Sequence, residues 1–131
     1  MKKSSYHFLR VGLAITFIWI GVLIFRDPIA WGSYIEPWAV DLLPVSLAQV
    51  MVGTAVLDVL VGLGFLFNFY VWVAALLGSV HLLVVMTVSG VTDITIRDAG
   101  LLTGALALFI DSVPEEVARR FQKQSDASLI Q

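Results

Sequence analysis

The chain has no cysteine, which removes disulfides, thiolate metal sites, iron–sulfur ligation and thiol redox chemistry from its own residues. Charge is scarce as well. Only 14% of the 131 residues are charged, against about 25% in an ordinary soluble domain. The net charge is −2 and no basic block occurs, so nucleic acid is not an expected partner. No phosphate-binding glycine loop, hydrolase elbow or HExxH motif is present, and Gly62-Leu63-Gly64 stands isolated inside an apolar run. What fills the chain is hydrophobic side chain, 59% of it. One small core cannot hide that much apolar surface from water. The composition therefore points to an integral membrane protein whose partner is the lipid bilayer.

A membrane helix needs about 20 mostly apolar residues. Four stretches qualify, at about 6–25, 46–67, 69–89 and 97–113. The first opens on Lys2 and Lys3 but runs into Phe25-Arg26-Asp27-Pro28 with no small-x-small cleavage site, so a retained span is expected rather than a removed signal. Of the eight Lys and Arg residues, Lys2, Lys3, Arg10, Arg119, Arg120 and Lys123 fall on one side, and Arg26 and Arg97 on the other. The positive-inside rule then places both termini in the cytoplasm of a multi-pass cell-membrane protein.

Short connections give the topology. Spans two and three meet through little more than Asn68, and spans three and four through 90–95. The expected fold is all-α, an up-down four-transmembrane-helix bundle over 1–113. Only the outer loop 26–45 is long; it carries Trp31, Tyr34 and Trp38, as interfacial anchors or as a lid, and Pro37 can start a short helix over 38–43. Over 114–131 the pattern predicts a cytoplasmic amphipathic helix with a flexible tail beyond Gln124. Ser112-Val113-Pro114-Glu115 has the form of a capping box, and Val113, Val117 and Phe121 share a stripe. Small residues supply packing faces: Ala14 and Gly21, Thr54, Ala55 and Gly62, Ala74 and Gly78, and the GxxxG of Gly100 and Gly104.

Ionisable residues within spans cost a few kcal/mol and need partners. At a rise of ~1.5 Å per residue, Asp58 lies ~15 Å and His81 ~20 Å above the inner turn at Asn68, and Arg97 ~25 Å above Pro114. They form a ladder from the midplane outward. Asp58 either holds helices together or handles a proton, and His81 either completes a hydrogen-bonded interior or relays that proton. Arg97 pairs Asp93 or Asp98, or reaches inward to Asp58 or to an anionic or carbonyl-bearing ligand; Asp98 also suits a helix N-terminus as a capping group. Arg10 and Asp111, near the inner ends of spans one and four, are expected to form a structural ion pair. Bis-histidine haem ligation needs a second chain, and His81, Asp58 and Asp98 lack metal-site spacing.

This pattern resembles the DoxX-like family of small four-helix membrane proteins. Arg10 followed by Phe17-Ile18-Trp19-Ile20-Gly21 resembles that family's first helix, and Leu57-Asp58-Val59-Leu60-Val61-Gly62-Leu63 its acidic-then-glycine second helix, with Asp in place of the usual Glu. Arg97-Asp98-Ala99-Gly100-Leu101-Leu102 is similar to the R-D-x-G-L-L start of its last helix. The resemblance covers about residues 8–110. It implies a four-helix bundle in a group that includes a quinone-linked thiosulfate oxidoreductase subunit. The absence of cysteine argues against a sulfur relay on this chain's own thiols.

The expected function is that of a redox-associated membrane subunit holding a quinone or another lipid-soluble ligand in an outward-facing pocket of Asp58, His81, Arg97, Asp98, Trp31 and Trp38. The alternatives are a noncatalytic partner or assembly subunit of a larger complex, a homo-oligomer among them, and a small proton-linked transporter. Four helices without an inverted repeat leave a transporter little room for alternating access.

Overall fold

In a computed structural model residues 1–128 are described, except for the side chains of 121 and 124–128. The described chain is all helical: α1 Lys3–Arg26, α2 Pro28–Gly32, α3 Pro37–Val40, α4 Leu47–Leu66, α5 Val71–Ser89, α6 Asp93–Ser112 and α7 Glu115–Ser128. Three of these, α1, α4 and α5, are long and apolar enough to cross a membrane, which marks the chain as a membrane protein. Helix α6 matches α4 in length but carries Asp93, Arg97, Asp98 and Asp111.

Local chemistry sets the boundaries. Asp27 ends α1 and caps α2, its carboxylate accepting from the Ala30 N–H at 3.1 Å, with Pro28 in the first turn. Ser46 and Gln49 form a full capping box at the start of α4. Thr92 and Thr95 do the same for α6. That box starts α6 at Asp93, four residues ahead of the span expected from 97, and shortens the loop accordingly. Gly90, at φ +64°, ends α5 in a conformation that L side chains rarely adopt. Between α4 and α5 the chain turns through Asn68 and Tyr70, both at positive φ. The capping box expected at Ser112 does not form: Ser112 ends α6 and its hydroxyl donates to the Leu108 carbonyl at 2.5 Å. The Pro114 carbonyl instead takes the Val117 and Ala118 N–H groups as α7 begins. Helical structure continues past Gln124 to Ser128; the rest of the expected tail, 129–131, and the side chain of Phe121 in the expected stripe lie outside the described residues.

Helix α1 packs along α4, α5 along α6, α4 against α5, and α1 touches α6. The α1–α4 seam is backbone on backbone. A Cβ at Gly21 would sit 2.8 Å from the Ala55 carbonyl oxygen, and one at Gly62 2.9 Å from the Ile18 nitrogen. Gly78 similarly faces Val61 and the Phe17 ring. Gly100 departs from the expected pattern: a Cβ there would meet nothing, so only Gly104 of that GxxxG faces a neighbour, Leu9 on α1.

Two apolar clusters result. One includes Leu13, Phe17, Val61, Phe65, Leu82 and Leu108. The other is built on Ile24, Met51 and Ala55, with Trp31 and Ile35 packed against it. On α4, Asp58 falls between Ala55 of one and Val61 of the other. Large apolar side chains such as Phe8, Ile15, Trp19, Leu60, Leu83 and Ile110 point outward, an arrangement suited to lipid.

Candidate functional site

The polar side chains of α4, α5 and α6 converge on the gap between the two clusters. Asp58 is 4% exposed, and its Oδ1 lies 3.2 Å from Nε2 of His81 on α5. Asp98, also 4% exposed, comes from the second turn of α6 and accepts a long hydrogen bond from Arg97 Nη2 at 3.4 Å. It is not the helix-start cap that the sequence allowed, because Thr92 occupies that position. Two buried carboxyls are therefore each given a basic partner. Arg97 keeps half of its side chain exposed, while His81 keeps only 12%.

These groups share one cavity of about 220 Å³. Asp58, His81, Arg97 and Asp98 line it, with Thr54 and Thr95 adding hydroxyls; the remaining lining is largely aliphatic and aromatic, from Phe17 on α1 to Val85 on α5. The loop between α1 and α4 covers part of the top. Trp31, Tyr34, Ile35, Ala39 and Leu43 all line the cavity, and the Glu36 N–H donates to the Val88 carbonyl at 2.8 Å, tying the loop to the end of α5.

Five of the six expected ligand-binding residues thus come together: Asp58, His81, Arg97, Asp98 and Trp31. Trp38 does not. Helix α3 turns Ala39 inward and leaves Trp38 52% exposed. The expected Arg10–Asp111 ion pair is also absent. Buried Arg10 donates from Nη1 to the carbonyls of Phe65 and Leu66 at the carboxyl end of α4, where the helix dipole favours a cation. Asp111 instead accepts from the Met1 amino group at 2.6 Å. Among the described residues no group of three His, Asp or Glu side chains is placed to hold a metal ion.

Sequence reading named Tyr34 only as an anchor or a lid, and missed Ile35 and Ala39 as cavity lining and helix α2. The Asp27-Pro28 pair is a legible helix start and was the available signal. Thr92-x-x-Thr95 was the signal for the early start of α6. Comparison with protein-family models, with curated proteins and with solved structures finds no match.

Chemically, the site offers a buried acid and imidazole in contact, a guanidinium nearer the surface, and an apolar enclosure. Such a set can fix the polar end of a greasy molecule and hold or release a proton there.

Proposed function

We propose that the chain is a four-transmembrane-helix bundle with both termini cytoplasmic, similar to the DoxX-like family, and that it binds a quinone or another lipid-soluble ligand as the membrane subunit of a redox system. The observation that carries this reading is the Asp58–His81 contact at 3.2 Å, opening on an otherwise mainly apolar cavity. A carboxyl and an imidazole buried within a membrane span are a functional-site hypothesis by default. The excess of Lys and Arg at the two termini supports the topology.

Size narrows the ligand. An apolar cavity of about 150 Å³ takes one benzene ring, so 220 Å³ suits one substituted ring and not a fused tricycle. The ring of a benzoquinone fits, its isoprenoid tail left outside. Arg97 or His81 donates to a ring oxygen, and Asp58 holds or passes a proton through His81 Nε2. Trp31 and Tyr34 line the cavity on the loop side.

The test is mass spectrometry of the lipid extract of the purified protein. A quinone co-purifies with the parent chain and is lost in Asp58→Asn and His81→Ala. Retention of the quinone in both variants would show that the site lies elsewhere. Recovery instead of a stoichiometric protein partner, with tolerance of both substitutions, would favour an assembly subunit.

A further inference from the structure

We propose that the cleft between α1 and α6 is the route by which the ligand passes between the bilayer and the internal cavity, with Leu101 as its gate. The inference rests on the binding reading above and says how that site is reached.

The α1–α4 seam is sealed at Gly21 and Gly62, where there is no room even for a methyl group. Helices α4 and α5 close on each other where a Cβ at Gly64 would sit 3.0 Å from that of Ala74. The outer mouth is roofed by Trp31, Tyr34 and Ala39 and pinned by the Glu36 bond to Val88.

The α1–α6 seam is different. An open, shallow groove lies between the amino-terminal half of α1 and α6, walled by Leu9, Gly12, Leu13, Thr16, Gly100 and Gly104. Its lining is mainly apolar, and Phe8 at its edge is 82% exposed, a face suited to acyl chains. A Cβ at Gly12 or at Gly100 would meet no atom, which leaves free space on both walls.

Leu101 joins the two spaces. It lines the open cleft and also the internal cavity that holds Asp58 and His81. Its side chain is only half-buried, and the space beside Gly100 lets it swing toward the cleft. Rotamer changes of this kind are fast and need no movement of a helix. A single-ring ligand sliding up the seam from the amino-terminal half of α1 would then enter beside Phe17 and meet Asp58 at the midplane.

A gate alters rates without altering the bound state. The test uses the full chain in phosphatidylcholine nanodiscs, with Trp19, Trp38 and Trp72 replaced by Phe so that Trp31 alone reports. Duroquinone is the probe, followed by stopped-flow quenching of Trp31. Gly100→Leu, which narrows the cleft without a clash, is expected to slow association and dissociation alike by about tenfold, with Kd held within about twofold. Leu101→Ala is expected to speed both. Unchanged rates in Gly100→Leu, with the probe still bound, overturn the route and leave the binding reading standing. A changed Kd at constant association rate in Leu101→Ala makes Leu101 a wall and overturns the gate. No saturable quenching in the parent chain overturns the binding reading itself, and the route with it.

Discussion

Asp58 and His81 show how a membrane interior tolerates ionisable side chains. Each is sheltered from water and each has the other as its near partner. Removing one leaves the other stranded, whereas removing both leaves nothing to satisfy. His81→Leu is therefore expected to destabilise the protein by about 3 kcal/mol in detergent, while Asp58→Leu with His81→Leu returns close to the parent stability. Thermal or denaturant unfolding of the parent and the two variants checks this; equal losses in the single and double variants would contradict it. Arg10 makes a second case. Its guanidinium serves the carbonyls of Phe65 and Leu66, so Arg10→Ala is expected to cost about 1–3 kcal/mol, seen as a lowered unfolding midpoint. The depth arithmetic made Asp58, His81 and Arg97 legible as a group, because the helical rise is fixed. The partner of Arg10 was not legible: Asp111 carries a full charge that a sequence displays, and the α4 carbonyls carry a partial charge that only the end of a helix creates.

At the scale of elements, the glycines divide by what faces them. Gly62 lies against the α1 backbone, and Gly62→Leu forces the α1–α4 seam apart; a loss of about 1–3 kcal/mol or more is expected in unfolding experiments. Gly100 faces open space, so Gly100→Ala is expected to be neutral or to gain up to about 1 kcal/mol from helix propensity, read as an unchanged or raised unfolding midpoint. Sequence pattern alone gave both residues the same packing role. The spacing of small residues reports which side of a helix is smooth and not whether a neighbour is there. The apolar runs of α1, α4 and α5 were legible because composition over twenty residues states them outright. The outer loop was harder. Pro37 predicted a helix start correctly, but a four-residue helix can turn either Trp38 or Ala39 inward, and the hydrophobicity of tryptophan misdirects the choice.

The molecule as a whole places a polar layer between two apolar clusters and roofs it with a loop. If that layer is a ligand site, the cavity and not the surface must take the ligand. Thr54 stands one turn from Asp58 on α4 and lines the cavity, while Thr103 on α6 is exposed and lines neither the cavity nor the groove. The most direct measurement is native mass spectrometry of the full chain in detergent, titrated with duroquinone. One molecule of duroquinone per chain is expected in the parent and in Thr103→Trp, and none in Thr54→Trp, where the indole fills the cavity. Equal uptake by all three, or no uptake by the parent, would contradict the claim that this cavity holds the ligand.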